Sequence, residues 1–443
     1  MNQDVDLVLT GRWLVSMDSE PLQEDGISVA IAGSRIAEIG PNLASKYPQA
    51  ELLTCPQGLI MPGLINSHSH AAMSCFRGLA DDLPLMDWLT QHIFPREAQL
   101  TEEIVYQSTL LSICEMIKSG TTCFNDMYLF TKEVARAATD AGMRVWIGEG
   151  FFDFPSPCYG ELENGFTYAE ELFTTYKESE LITITVTPHA VYTCSPPLLQ
   201  RAAALAESKQ ALLHIHLAET KTEVSGCTEL YGCSPVQHLE QLGLLNERVI
   251  IAHGVHVSPE EIALLAKRKV KVAHCPESNM KLASGIAPVQ AMLYQGLTVG
   301  IGTDGSASNN DVDMFSEMST AAKLQKVRDL DPTALKAEAA LQAATMGGAA
   351  LLRAEAEIGS IKVGKKADLI MLDMNQPHLT PCYHPISHLV YAAKGGDVLH
   401  SVINGQIVMR DRQLTTLDET AIIAKMRKIG TTVLQMHEQE TRP

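Results

Sequence analysis

The run GLINSHSH (63–70) ends in two histidines one residue apart. On a β-strand such residues share a face, so His68 and His70 would form a two-pronged claw for a metal ion. Two further groups close apolar runs of the same kind: His216 in ALLHIHLAE (211–219) and Asp304 in TVGIGTDG (298–305). Three imidazoles and one carboxylate suit a single divalent cation, Zn2+ first among them, with one position left open for water. His214 is in phase with His216, so either histidine of that strand, or both, could face inward. His253 closes VIIAHG (249–254), and Glu219 follows His216 by three residues. A lone His-x-His pair arises easily by chance. Metal-binding residue types at several separate run ends do so far less easily.

These side chains need elements to position them, and the chain repeats one unit. Eight short runs rich in β-branched residues (63–70, 121–127, 144–152, 182–189, 211–219, 249–254, 270–278 and 298–305) alternate with helical stretches. One such stretch, SPEEIALLAKRKV, opens with Ser258 as N-cap, Pro259 at the first helical position, and Glu260 and Glu261 in the first turn. Strand–helix repeats imply parallel strands, and eight of them close a (β/α)8 TIM-like barrel. Barrel active sites lie at the C-terminal strand ends, where the histidines and carboxylates fall. The alternative, an open doubly wound sheet, would want a glycine-rich phosphate loop after its first strand, and SHSHAAMSCFRG is not one. Residues 1–60 read as short strands and turns with no helix. Residues 359–443 open in the same way, with Asn404-Gly405 as a hairpin signal, and finish in a helix over DETAIIAKMRKIGTTVLQMHEQ. The expected fold is therefore α/β. A catalytic barrel spans 61–358, and a small β-sandwich domain is formed by both chain ends, 1–60 and 359–443.

Composition narrows the function further. The 443 residues are 46% apolar and 19% charged, enough for a packed core. Subtracting 52 acids from 34 Lys and Arg leaves −18, which argues against nucleic acid and anionic membrane as partners. The ten cysteines are scattered and form no CxxC pair, so a disulfide framework is not expected. Asp4 and Asp6 stand where a signal peptide would carry cations, and no run approaches ~20 apolar residues, so a cytoplasmic protein is expected.

The segments PGLINSHSHAAMSCFRGLADDLPLMDWL, HIHLAET, AHGVH, HCPESNMKLASGIAPV and GTDGSASNNDVDMFSEM together resemble the amidohydrolase superfamily. The nearest resemblance is to its branch of 5′-methylthioadenosine/S-adenosylhomocysteine deaminases, and it extends to GSIKVGKKADLIMLD, nearly the whole chain. It implies that His68, His70, His216 and Asp304 ligate one divalent metal ion per subunit, His216 being chosen over His214 by the pattern HxxE. Glu219 is implied as the proton shuttle, His253 as the group orienting water or the developing oxygen, and Asp304 as acceptor of the water proton. Glu97 in IFPREAQL resembles the contact to ribose hydroxyls, and His189 a second sugar or purine contact. The family's binuclear members carry a bridging lysine on the fourth strand; ITITVTPH has none, so one metal is expected. The implied reaction converts a purine nucleoside to its inosine analogue and ammonia. A homodimer or homotetramer is implied by resemblance alone.

Trp88 has two readings, a wall against the purine or 5′ substituent, or a packed core residue. The loop after the third strand, GEGFFDFPSPCYGELENGFTY, contains no Lys or Arg to receive the carboxylate of a homocysteine tail. Methylthioadenosine is therefore expected over S-adenosylhomocysteine, with adenosine as a further candidate. Other readings are a guanine or 8-oxoguanine deaminase or a triazine hydrolase on the same site, and a scaffold without activity. A scaffold would be expected to have lost ligand or shuttle residues, and all are present.

Overall fold

A computed structural model describes residues 4–18, 22–23 and 26–440. Two groups of parallel strands run through the middle of the chain. The first comprises β1 (Leu64–Ser69), β2 (Thr121–Tyr128), β3 (Arg144–Phe151) and β4 (Ile182–Ile184, resuming at Thr187–Pro188), adjacent in that order. The second comprises β5 (Leu213–Leu217), β6 (Val249–His253), β7 (Lys271–His274) and β8 (Thr298–Ile301), again in sequence order. Isolated parallel bridges join the groups at both edges, Val186 with Leu213 and Ala190 with His216 at one and Ser69 with Asp304 at the other. Helices cover the strands from outside, so β1 and β2 are buried along their whole length.

The sequence suggests one unbroken fourth strand over 182–189, but the structure divides it. The Thr185 amide still donates to the Ile147 carbonyl of β3 at 2.8 Å, whereas the Val186 amide donates to Leu212 at 2.9 Å. Alternate residues bond to opposite neighbours, Thr185 and Thr187 to β3 and Val186 toward β5, because this strand must serve both groups. At the other junction two glycines let β8 approach β1. A Cβ on Gly300 would sit 2.1 Å from Ser67 Oγ, and one on Gly302 would sit 2.6 Å from the His68 nitrogen.

The helix expected after Ser258 runs Pro259–Arg268 and carries a reciprocal capping box between Ser258 and Glu261. Such a cap contributes about 1 kcal/mol. The chain ends pair directly. Leu369–Asp373 lies antiparallel to Gly58–Pro62 within a seven-stranded sheet that also holds Trp13–Val15 and the hairpin Val398–Ile403/Gln406–Arg410. At the hairpin tip Asn404 and Gly405 have φ of 50° and 78°, the left-handed pair a two-residue turn requires. A four-stranded sheet built on Leu7–Gly11 and Ile27–Ala32 shares a separate apolar cluster with it, including Leu9, Leu14, Ile31, Ile60 and Val402. A short helix, Leu43–Lys46, occupies the region expected to hold strands alone. Its single buried side chain, Leu43, belongs to a small cluster with Val8 and Ala30, too small a face to be legible as helical periodicity. Among the described residues no helix is long and apolar enough to cross a membrane.

Candidate active site

The C-terminal ends of β1, β5, β6 and β8 converge. Ligand atoms of His68, His216, His253 and Asp304, all buried, lie within 4.8 Å of one another. His70 Nε2 joins them, 3.2 Å from both Asp304 Oδ1 and His216 Nε2. Backbone carbonyls set two of the rings: His70 Nδ1 donates to Met127 at 2.5 Å and His216 Nδ1 to His189 at 2.8 Å. Each therefore turns its Nε2 toward the centre. Asp304 and His253 sit at φ of 63° and 71°, a left-handed conformation that non-glycine residues adopt rarely and that concentrates at functional sites. Asp304 is also held through its Oδ2 by Ser278 Oγ at 2.6 Å and Ser308 Oγ at 3.1 Å.

Burial pushes the Asp304 carboxyl upward, but the hydrogen bonds and charge of His68 and His70 outweigh it and hold it well below the usual range. Burial pulls His68 down to about 4 and keeps that ring neutral, a state in which imidazole can ligate. Its Nε2 is buried without a hydrogen-bond partner, although Asp304 Oδ1 lies 3.3 Å away. A buried polar atom of this kind calls for a partner. Imidazoles, a carboxylate and one orphaned nitrogen aimed at a common point fit a divalent metal ion.

The cluster forms the floor of a cavity whose walls are Leu85, Trp88, Phe94, Glu97, Phe152 and His189, among others. Trp88 is buried and lines it, so wall and packed residue prove to be one state. Glu97 lies at the end of Phe94–Glu97; burial pushes its carboxyl upward while Tyr128 and His70 oppose this. His189 donates or accepts at Nδ1 with Thr193 Oγ1 at 2.8 Å, and burial lowers its pKa to about 3. Glu219 accepts from Ser284 Oγ at 3.2 Å, and burial raises its pKa. His253 Nε2 faces Glu219 at 3.8 Å and Asp304 at 3.9 Å, while its Nδ1 meets Asn279 Oδ1 at 2.9 Å. Burial would lower the His253 pKa, but the two carboxylates and Asn279 together raise it. The structure thus brings His70, Trp88, Glu97, His189, His216, Glu219, His253 and Asp304 into the lining of one cavity, with His68 buried against them and His214 outside it. Roles for Ser278, Ser284, Ser308 and Asn279 were not legible, because isolated Ser and Asn residues in loops carry no spacing signal.

Residues 59–408 match the model of the Amidohydrolase family. The chain belongs to the amidohydrolase family. This amidohydrolase is 50% identical over 430 residues to a protein of Syntrophobacter fumaroxidans named 5-methylthioadenosine/S-adenosylhomocysteine deaminase, covering 97% of this chain and 98% of that one. It is 47% identical to a protein of the same name from Nitratidesulfovibrio vulgaris, covering 98% and 99%. An adenosine deaminase from Xanthomonas campestris, crystallised with bound zinc, superposes with a TM-score of 0.93 at 38% identity, covering 97% of this chain and 99% of that one. The amidohydrolase is a hydrolase of C–N bonds whose histidine and aspartate cluster is built for a divalent metal.

Other polar side chains of the amidohydrolase have plainer roles. Cys194 and Cys275 are buried thiols; burial raises the first to about 11 and the second further, so neither is a thiolate nucleophile. Asn66 exchanges two hydrogen bonds with Thr303, and Asn309 donates to the Thr303 carbonyl at 2.8 Å, fixing the turn that presents Asp304. His274 is buried at the end of β7 with neither ring nitrogen partnered. His378 pairs with Asp397 at 2.9 Å, and His384 caps the helix Pro385–Tyr391, both remote from the cavity in their contacts.

Proposed function

We propose that the chain is a Zn2+-dependent hydrolytic deaminase of purine nucleosides that prefers 5′-methylthioadenosine. The observation that carries this reading is one cavity with a metal-competent floor, a buried acid at Glu219 and a second carboxylate, Glu97, on its wall. The relatives' names support the same substrate class. In this reading His68, His70, His216 and Asp304 hold the ion, which when bound supplies the Lewis acidity that makes water nucleophilic at neutral pH. The His/Asp donor set and the zinc of the Xanthomonas campestris relative support zinc.

The rest of the work falls to side chains. Glu97 receives ribose hydroxyls, and His189, kept neutral by burial, offers its free ring nitrogen to the sugar or purine. Glu219, its pKa raised by burial, is the acid that donates to purine N1 and makes C6 electrophilic. Water adds to C6 as Asp304 accepts its proton. His253, its ring set by Asn279, stabilises the oxygen that develops there. The C6 amino group takes up a proton and departs as ammonia, leaving the inosine analogue. Trp88 and Phe152 close the cavity against solvent.

The 5′ end of a nucleoside anchored at Glu97 meets a chamber of about 200 Å³ lined by Phe94, Leu129, Phe152, Phe154, Pro155 and Pro157. No Lys or Arg lines either cavity among the described residues. Lys281, next to the cavity-lining Leu282, is committed to Asp81 at 2.6 Å and the Ala307 carbonyl at 3.2 Å. An apolar chamber suits a methylthio group rather than a zwitterion. On the same reading the bridges at both edges close the eight strands into a (β/α)8 barrel over 61–358, with the end sheets as a β-sandwich of 1–60 and 359–443.

The test is a panel of methylthioadenosine, S-adenosylhomocysteine, adenosine, guanine and a chlorotriazine, followed by ultraviolet absorbance with and without zinc after chelation. Zinc-dependent turnover highest on methylthioadenosine is expected. Turnover confined to guanine or the triazine would refute the reading.

A further inference from the structure

One imidazole beside the proposed centre does not face it. His214 precedes His216 by two residues on β5, so both point into the same side, but His214 lies a layer deeper and is fully buried. Its Nε2 is 3.1 Å from His68 Nδ1, and its Nδ1 is 3.0 Å from the side-chain nitrogen of Asn125. That Asn125 nitrogen also donates to the Ser67 carbonyl at 2.9 Å, whereas Asn125 Oδ1 is buried without a partner. Three strands, β1, β2 and β5, thus contribute one line of contacts ending on His68.

The hydrogen count in this line is closed. A buried neutral imidazole has one N–H and one lone pair. With the amide as it stands, both hydrogens of the Asn125 nitrogen are spent on Ser67 and His214. His214 therefore accepts at Nδ1 and carries its proton on Nε2, which it donates to His68 Nδ1. His68 must then carry its own proton on Nε2, the atom that faces Asp304, and cannot ligate through it. Turning the Asn125 amide by half a turn reverses the line. Oδ1 then accepts from His214 Nδ1–H, His214 Nε2 accepts from His68 Nδ1–H, and His68 Nε2 presents a lone pair. Each ring keeps one proton and the line gains none net: one leaves at His68 Nε2 to water, one crosses from His214 Nε2 to His68 Nδ1, and one arrives from water at His214 Nδ1. The reversed amide replaces its bond to the Ser67 carbonyl with a contact between two oxygens, which favours the first setting when no metal is present.

We propose that Asn125, His214 and His68 form a positioning relay in which the orientation of the Asn125 amide decides whether His68 offers its Nε2 lone pair to the metal. The relay rests on the assignment of His68 as a ligand. His214 and Asn125 touch neither substrate nor metal; they act through His68, fixing its ring and its tautomer.

The experiment uses the full chain stripped of metal, with zinc affinity read by competition with a chromophoric chelator and fold by far-ultraviolet circular dichroism. His214→Phe keeps a ring of similar size without nitrogens, and Asn125→Leu removes the amide from a different strand. Each is expected to weaken zinc binding roughly 10–100-fold with the dichroism spectrum unchanged, the range typical for outer partners of metal-bound histidine. A signature independent of mutation is the histidine ring 15N spectrum of the wild type. His214 is expected to carry its proton on Nε2 without zinc and on Nδ1 with it. Wild-type zinc affinity in both variants, or a His214 tautomer unchanged by zinc, overturns the relay alone. A wild type that takes up no zinc overturns the ligand assignment and the relay together.

Discussion

Phe154→Arg should redirect the enzyme toward S-adenosylhomocysteine. Phe154 is 41% exposed at the rim of the apolar chamber and stacks on Phe152 with ring centroids 4.8 Å apart. A homocysteine tail entering the wild-type chamber takes a carboxylate out of water and finds no cation among the lining residues. An unpaired buried charge costs several kcal/mol. At ~1.4 kcal/mol per tenfold, a wild-type preference for methylthioadenosine on the order of 100-fold in kcat/KM follows. An arginine at 154 can lie on the Phe152 ring as Phe154 does and extend two N–H groups to the carboxylate. A hydrogen bond to a charged group contributes ~1.5–3 kcal/mol, so kcat/KM for S-adenosylhomocysteine should rise roughly 10–150-fold while that for methylthioadenosine falls. The exposed position keeps the effect on stability small. Steady-state kinetics on both nucleosides, followed by the loss of adenine absorbance, gives the ratio directly. A wild type that prefers S-adenosylhomocysteine, or a variant whose ratio stays within twofold of wild type, refutes the reasoning.

Glu219→Gln should keep its volume, its Ser284 hydrogen bond and its bound metal while losing ~10²–10⁴-fold in kcat; near-normal turnover would remove Glu219 from proton transfer. Asp368→Asn leaves the buried guanidinium of Arg144, now paired at 2.5 and 3.1 Å, without its counter-charge, and should lower the urea unfolding free energy by ~3–5 kcal/mol. Glu149 is buried beneath the helix Thr131–Ala141, accepting from the Thr131 amide at 2.8 Å, and burial raises its pKa to about 7. A carboxyl raised in this way favours the folded state fully below its unfolded pKa, and that contribution is lost as pH rises through 7. Glu149→Gln removes this titration. The stability of wild type relative to the variant should therefore fall by about 3 kcal/mol between pH 4 and pH 8, measured by denaturant titration at each pH.

The polar line-up was legible because the parallel strands are short and end in the site, so a histidine or aspartate closing an apolar run announces where it points. His68, His70, His253 and Asp304 could be chosen this way, whereas the choice of His216 over His214 needed the family pattern HxxE. Glu97 and His189 needed a family resemblance, since a glutamate in a helix and a histidine before a turn have no distinguishing spacing. The halves of the end sheets were legible through Asn404-Gly405 and alternating strands, but the helix Leu43–Lys46 was too short to show a period.

Local chemistry is what the sequence by itself determined: strand and helix alternation, the hairpin turn, the capping box at Ser258, the shortage of cations after the third strand, and the residue types able to hold a metal. These depend on neighbours within a few positions, where backbone geometry imposes fixed periods. Only the tertiary structure separated the surroundings of His214 and His216. Both occupy the same face of one strand, and their depth along the strand axis sets their neighbours: His216 meets His70 at 3.2 Å, whereas His214 meets His68 and Asn125. It likewise decided the break in the fourth strand, which follows from where β5 lies rather than from anything in residues 182–189. Contacts between residues far apart in the chain depend on how strands are staggered, and no local period encodes that.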